Sequence, residues 1–305
     1  MNVRIGAAPI SWGVCEIPGW GPQLPYTRVL DEMQAAGYAG TELGPWGFLP
    51  TDPAALADAL ARRGLAMAAA FVPLPLKDPA AYPESERRVR QTAGLLQRLG
   101  ARDILLADAG DDLRMRIAGR PDQTRAHGLR PQEWPRYAAR LERLSQLCRF
   151  EYGLVPSFHP HGGTYVEHPD EIRTLLERCD PHLVKLCLDT GHVALGGGDP
   201  VALARTHAAR LGYVHLKDVD LPRLRALLAR GASYVDAARQ DVFVELGRGS
   251  LDLRALVGAL REAAYAGWLV VEQDRVVQPE TDTLGSARRN LVALRALVDA
   301  PSGMR

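Results

Sequence analysis

The chain has 305 residues, of which 47% are hydrophobic, which is enough to bury a large core. Its 37 basic residues offset 36 acidic ones, so it lacks the basic excess of a general nucleic-acid or membrane-surface binder. Four cysteines without a C-x-x-C spacing predict reduced thiols in a cytoplasmic protein rather than a secreted disulfide framework. We expect neither a signal peptide nor a membrane-spanning segment, because the sequence contains no long apolar run.

Short apolar runs alternate with longer segments of helical periodicity. The predicted strands are residues 3–9, 40–43, 66–72, 103–107, 153–158, 183–188, 213–216 and 268–272. The predicted helices that follow them are residues 26–37, 51–64, 84–99, 131–150, 169–179, 200–210, 252–264 and 284–300. Eight strand-then-helix units predict a parallel sheet, closed as one (β/α)8 TIM-barrel domain over residues 1–305. An open doubly wound sheet is the alternative.

Two segments interrupt this rhythm. Residues 109–130 are polar and rich in Asp, Arg and Gly, and they predict a long loop after the fourth strand. Residues 219–241 predict a helical insertion after the seventh strand, and residues 242–246 predict a short extra strand. In a barrel, both segments lie at the C-terminal mouth, where loops build the site.

Carboxylate and imidazole side chains recur where the predicted strands end. The strand-end residues are Glu42, His159, His161, Asp189, His192, His215, Lys217, Asp218, Glu272, Asp274 and Arg275. Because the carboxyl ends of parallel barrel strands open on one face, we expect these side chains to converge. Mixed imidazole and carboxylate donors suit Mn²⁺, Co²⁺, Fe²⁺ or Zn²⁺, and the lack of cysteine among them argues against a structural zinc site.

Each of these motifs has an ordinary alternative when it is taken alone. A lone His-x-His is more often a core or surface feature than a ligand pair, and an Asp at a strand end often caps a helix. The sequence lacks a G-x-G-x-x-G after the first strand, a G-x-x-x-x-G-K-[ST] loop and a G-x-S-x-G elbow. Dinucleotide, P-loop and α/β-hydrolase functions therefore have no support.

Five segments resemble the xylose-isomerase-like TIM barrel superfamily, and within it the inosose (2-keto-myo-inositol) dehydratases. They are residues 9–13 (PISWG), 40–47 (GTELGPWG), 159–167 (HPHGGTYVE), 188–192 (LDTGH) and 215–218 (HLKD). The resemblance covers nearly the whole chain. It implies a divalent metal, with Mn or Co first and Mg, Fe or Zn as alternatives. It also implies a small polyol or sugar substrate and neither a nucleic-acid nor a membrane partner, and it leaves homo-oligomer formation open.

The superfamily holds its metal with Glu, Asp, His and Glu from strands five to eight. Asp189, His215 and Glu272 match the last three, and His159 falls at the position of the first. The resemblance therefore implies the metal ligands His159, Asp189, His215 and Glu272. Epimerases of this superfamily also use the first glutamate to move the proton. Its replacement by histidine puts a two-base epimerase mechanism in doubt.

The resemblance implies a metal-dependent lyase of inositol catabolism, which dehydrates a keto-polyol such as 2-keto-myo-inositol through an enediolate. The expected base is Glu272, His161 or Lys217. Lys217 acts instead as a charged hydrogen-bond donor unless burial lowers its pKa. The expected substrate contacts are Glu42, Trp46, Glu167, His192 and Arg275.

Three other functions are compatible with this fold. A metal-dependent sugar or inosose isomerase or epimerase shares the enediolate, so the sequence hardly separates it from a dehydratase. A DNA-repair endonuclease of the AP endonuclease type would need further metal ligands and a basic surface, and the neutral charge argues against it. A non-catalytic carbohydrate-binding barrel would keep the pocket without a base.

Overall fold

The computed structural model describes residues 1–300. The strands are β1 (Val3–Ala7), β2 (Gly40–Thr41), β3 (Ala66–Met67), β4 (Phe71–Leu74), β5 (Asp103–Asp108), β6 (Val155–His159), β7 (Lys185–Asp189), β8 (Leu211–Leu216), β9 (Asp218–Val219), β10 (Phe243–Val244) and β11 (Gly267–Val271). The helices are α1 (Tyr26–Ala36), α2 (Pro53–Ala61), α3 (Tyr82–Arg98), α4 (Asp112–Ile117), α5 (Pro121–Ala126), α6 (Trp134–Gln146), α7 (Pro169–Arg178), α8 (Thr190–Leu195), α9 (Pro200–Thr206), α10 (Leu221–Ala229), α11 (Tyr234–Arg239), α12 (Leu253–Glu262) and α13 (Thr283–Asp299).

The main sheet closes on itself. Its strand order is β3-β2-β1-β11-β8-β7-β6-β5-β4, and neighbouring strands run parallel. The two end strands, β3 and β4, are parts of the single run 66–74. The N–H of Ala68 donates to the carbonyl of Thr41 at 2.8 Å, and the N–H of Leu105 donates to the carbonyl of Ala70 at 2.9 Å. One run thus bonds to both edges, so the predicted (β/α)8 barrel is confirmed and the open sheet is excluded.

Local signals explain why the helices form where they do, and α12 is representative. The carboxylate of Asp252 accepts the backbone N–H of Ala255 at 2.8 Å and caps the helix. The buried face of α12 consists of Leu253, Leu256, Val257, Ala259 and Leu260, a spacing that lays one apolar stripe against the barrel. Within residues 1–300, no helix is both long and apolar enough to cross a bilayer.

The sequence predicted the secondary structure of the segment 219–241 correctly but not that of the segment 109–130. The predicted loop 109–130 contains α4 and α5, because the carboxylate of Asp111 caps α4 and Pro121 occupies the first turn of α5. The insertion 219–241 is helical as predicted, and β9 and β10 pair antiparallel at its base. The short helix α8 directly after β7 has no counterpart among the predicted elements.

Candidate metal and substrate site

Four adjacent strands bring the four expected metal ligands together. His159 ends β6, Asp189 ends β7, His215 lies in β8, and Glu272 directly follows β11. All four side chains are buried, and one donor atom from each lies within 4.8 Å of the donor atoms of the others. The strands β6, β7, β8 and β11 are consecutive neighbours in the barrel. Because these strands run parallel side by side, their carboxyl ends place the four residues close together at the mouth of the barrel.

Asp189 shows most directly that the cluster fits a cation. Its Oδ1 accepts the backbone N–H of His192 at 2.9 Å and caps α8, which is the ordinary role of a strand-end Asp. Its Oδ2 is buried and has no hydrogen-bond partner within residues 1–300. The same oxygen lies 3.6 Å from Nε2 of His159 and 3.5 Å from Nδ1 of His215. The ammonium of Lys217 lies 3.3 Å from this oxygen without making a hydrogen bond to it, so a cation held between Asp189, His159 and His215 would stabilise the buried carboxylate further.

The orientation of His215 follows from its two hydrogen-bonding sides. Its Nε2 lies 2.7 Å from Oε1 of Glu42. Because a carboxylate only accepts, Nε2 carries a proton, and Nδ1 is the nitrogen that faces Asp189 and Glu272. Burial by itself lowers the pKa of His215, but the charges of Glu272 and Glu42 raise this pKa well above its ordinary value. The cluster therefore attracts positive charge.

The charge balance points the same way. Four buried carboxylates surround the floor of the site, namely Glu42, Asp189, Glu272 and Asp274. The buried ammonium of Lys217 lies 2.8 Å from a carboxylate oxygen of Asp274, 3.1 Å from Oε2 of Glu272 and 3.3 Å from Oδ2 of Asp189. Lys217 and the protonated ring of His215 balance only two of these four carboxylates, and a divalent cation would supply further positive charge.

The three candidate bases differ in protonation. Burial alone would lower the pKa of Lys217, but Asp189, Asp274 and Glu272 raise it, so this side chain is held as a charged donor. Burial raises the pKa of Glu272 to about 7, against the lowering effect of neighbouring cations. A carboxyl group with this pKa exchanges protons near neutral pH, which favours Glu272 as the base over Lys217.

His161 stays neutral at the edge of the site. Burial, followed by the charges of His159 and Lys217, lowers the pKa of His161 to about 3. Its Nδ1 lies 2.8 Å from the carbonyl oxygen of Gly162, which only accepts, so Nδ1 carries the proton and Nε2 keeps its lone pair. The ring stacks on His192 with 3.7 Å between centroids. His161 is therefore oriented as a hydrogen-bond acceptor and is a weak base.

A cavity of about 690 Å³ opens above this cluster. His159, His215 and Glu272 of the cluster line its polar floor. An apolar wall includes Ile10, Phe71 and Pro73. Of the expected substrate contacts, Glu42, Trp46 and His192 line the cavity, with Trp46 43% exposed at the rim. This volume is large enough for a small organic ligand.

Within residues 1–300, neither Glu167 nor Arg275 lines this cavity. The carboxylate of Glu167 accepts the N–H groups of Gly119 and Gly163, each at 2.7 Å. The guanidinium of Arg275 donates to the carbonyl of Ser11 at 2.9 Å. Both side chains use their polar atoms to hold mouth loops in place, and their contact with a substrate stays a prediction.

Three polar residues line the cavity that were not among the expected metal ligands, bases or substrate contacts, namely Asp108, Tyr234 and Asp274. Asp108 ends β5 and accepts the hydroxyl of Tyr137 at 2.6 Å, and burial raises its pKa to about 6. Asp274 accepts a hydrogen bond from the hydroxyl of Tyr234, which comes from α11 in the insertion. Both carboxylates follow predicted strands, so position alone could have found them. The insertion carries no local signal that directs Tyr234 inward.

The chain belongs to the xylose isomerase-like TIM barrel family, whose model matches residues 30–295. It is 34% identical to an inosose dehydratase of Geobacillus kaustophilus over 89% of this chain and 87% of that protein. It is 37% identical to the rhizopine catabolism protein MocC of Rhizobium meliloti, over 90% and 82% of the two chains. The crystal structure of the IolI protein with a bound zinc atom superimposes with a TM-score of 0.71 at 15% identity, covering 99% of this chain and 100% of the other.

Proposed function

We propose that this protein is a metal-dependent lyase that removes water from a keto-polyol of the 2-keto-myo-inositol type. The observation that carries the proposal is the buried cluster of His159, Asp189, His215 and Glu272, in which Oδ2 of Asp189 accepts no hydrogen bond, beside a ligand-sized cavity that three of these residues line. Relatives named inosose dehydratase, which match about nine-tenths of the chain, support an enzyme acting on carbohydrates.

The four residues of the cluster would hold a divalent cation. When bound, this cation would supply Lewis-acid polarisation of the substrate carbonyl, which makes the neighbouring C–H more acidic. We propose manganese or cobalt as the metal. The zinc in the IolI structure supports a divalent metal in this fold and does not select among these ions.

The chain's own residues divide the remaining work. Glu272 takes the proton from the α-carbon, because its carboxylate lines the cavity and burial raises its pKa, which makes it a stronger base. The positively charged side chain of Lys217 stabilises the negative charge that develops on the substrate. The β-carbon–oxygen bond then breaks, and the proton held by Glu272 leaves with the hydroxide as water. The neutral rings of His161 and His192 bind substrate hydroxyl groups from the side.

A single acid–base group suits dehydration better than epimerisation. An epimerase that inverts a carbon needs a proton acceptor on one face and a donor on the other. Here, the position of the first superfamily glutamate is occupied by His159 at the end of β6, and burial lowers the pKa of this histidine. In an elimination, one carboxyl group both accepts and returns a proton. We therefore favour the lyase over the isomerase or epimerase.

The experiment that tests this function starts from chelator-stripped protein. We expect turnover of 2-keto-myo-inositol to return with Mn²⁺ or Co²⁺, with a new diketone absorbance. Asp189→Asn should lose tight metal retention after dialysis and lose the turnover with it. Deuterium uptake into the substrate without loss of water would identify an isomerase instead. Turnover independent of added metal would remove the proposal.

The remaining expectations stand as proposals. The barrel over residues 1–305 forms one domain, with the segments 109–130 and 219–241 at its mouth. Its partner is a small polyol or sugar, and neither nucleic acid nor a membrane is expected. We also propose a cytoplasmic location from the unpaired cysteines.

A further inference from the structure

We infer that Glu42 is a positioning residue for the metal ligand His215 rather than a substrate contact. The inference rests on the proposed metal centre but not on the reaction carried out there. Glu42 is 3% exposed, His215 is 1% exposed, and Oε1 of the first lies 2.7 Å from Nε2 of the second. These residues are 173 positions apart, so only the barrel brings them together.

The two nitrogens of the His215 ring face different groups. On one side, Nδ1 lies 3.5 Å from Oδ2 of Asp189 and 3.4 Å from Oε2 of Glu272. On the other side, Nε2 lies at hydrogen-bond distance from the carboxylate of Glu42. An imidazole binds a metal only through a nitrogen with a free lone pair. A carboxylate on the opposite nitrogen keeps the proton there, fixes the ring and makes the ligating nitrogen more basic.

The backbone around Glu42 is rigid enough for this role. Its N–H donates to the carbonyl of Ala7 at 3.3 Å, on the neighbouring strand β1. The hydroxyl of the buried Thr41 donates to the carbonyl of Glu42 at 2.9 Å, and the N–H of Leu43 donates to the carbonyl of Ala69 at 3.0 Å. A side chain on such a braced strand end holds its partner with little freedom.

Within residues 1–300, two overlapping groups of side chains could hold a metal ion, namely the four expected ligands and the set of His159, Cys187 and His215, and neither group includes Glu42. Glu42 therefore acts on metal binding only through the ring of His215, which it orients. A residue that touched only substrate would change the Michaelis constant and leave metal affinity alone. A residue that orients His215 changes metal affinity with no substrate present. This difference separates the two roles experimentally.

The experiment measures Mn²⁺ affinity of the chelator-stripped full chain by calorimetry, without substrate. We expect Glu42→Ala to weaken binding by about 10- to 100-fold. Glu42→Gln keeps an acceptor oxygen but loses the charge, so the loss should be smaller. Glu16 is the matched control, because it is an exposed glutamate that lines the same cavity. Glu16→Ala and Glu16→Gln should leave Mn²⁺ affinity within about twofold of the parent protein.

A second readout covers the case in which Glu42→Ala does not fold. In ¹⁵N-resolved spectra of the parent protein, the Nε2 proton of His215 should resonate far downfield, and Glu42→Gln should move it upfield because an amide oxygen is a weaker acceptor. Unchanged Mn²⁺ affinity in Glu42→Ala, or an unchanged resonance in Glu42→Gln, would overturn the inference. So would a parent protein without Asp189-dependent Mn²⁺ binding. Glu42-dependent metal binding without dehydratase activity would uphold it and defeat only the proposed reaction.

Discussion

Asp103 offers the sharpest test of the electrostatics of this barrel, because it lies away from the cluster. It begins β5 at the amino end of the barrel and is 8% exposed. Burial raises the pKa of Asp103 from its ordinary value of 3.8 to about 7, and the nearby charge of Arg102 only partly opposes this. The folded protein therefore binds a proton here that the unfolded chain releases between these two pKa values.

The sign and size of the effect follow from proton linkage. As pH rises from 3.8 to 7, the unfolded chain binds fewer protons than the folded protein, so the free energy of unfolding falls. At pH 8 the full penalty applies, which is about 4 kcal/mol for this difference in pKa. At pH 5 only about 2 kcal/mol of it has developed. Asp103→Asn removes the ionisation and should therefore stabilise the protein more at pH 8 than at pH 5.

The assay is urea unfolding of Asp103→Asn and the parent protein at both pH values. We expect the stabilisation to be about 2–3 kcal/mol larger at pH 8. Asp58→Asn, on the exposed face of α2, is the control, and its effect should be small at both pH values. If Asp103→Asn changes the free energy of unfolding equally at pH 5 and pH 8, the buried carboxyl does not titrate as described.

Two further predictions concern the floor and the roof of the site. Lys217→Met should destabilise the metal-free protein by about 3–5 kcal/mol in urea unfolding, because it leaves three buried carboxylates without their ammonium. Added Mn²⁺ should restore part of this loss. The control is Lys185→Met, at the start of β7, which should respond to Mn²⁺ as the parent protein does. If Mn²⁺ stabilises Lys217→Met and Lys185→Met equally, the proposed charge balance is wrong. Tyr234→Phe should cost about 1–3 kcal/mol, because it removes a hydroxyl that donates to the buried carboxylate of Asp274. Tyr26→Phe on α1 is its control, and equal free energies of unfolding for the two variants would show that the hydroxyl of Tyr234 contributes nothing.

The barrel and the convergence of its polar residues could be predicted because the relevant signals are local. Apolar runs mark the strands, and caps such as Asp52 before Pro53 and Asp252 before α12 mark where helices begin. Once eight parallel strands are expected, their carboxyl ends share one face. His159 and Glu272 then belong to the same small region without any further information.

The mouth of the barrel was harder to predict, because its contacts join distant segments. Arg120 donates to the carbonyls of Leu228 and Ala232 at 2.9 Å and 2.6 Å, so the segment 109–130 holds the insertion over the site. Tyr234 lines the cavity as a result, and the carboxylate of Glu167 accepts a backbone N–H of the segment 109–130. A charged residue near a strand end looks the same in sequence whether it binds a ligand or a backbone N–H.

The amino-acid sequence by itself determined the alternation of strands and helices and the strand-end positions of the expected ligands. Only the tertiary structure decided that one oxygen of Asp189 caps a helix while the other faces the cluster without a hydrogen bond, and which nitrogen of His215 faces the cluster. It also decided that Lys217 is held charged. Periodicity and capping act over a few residues along the chain, whereas hydrogen-bond direction and pKa depend on every charge and donor that folding brings within a few ångströms.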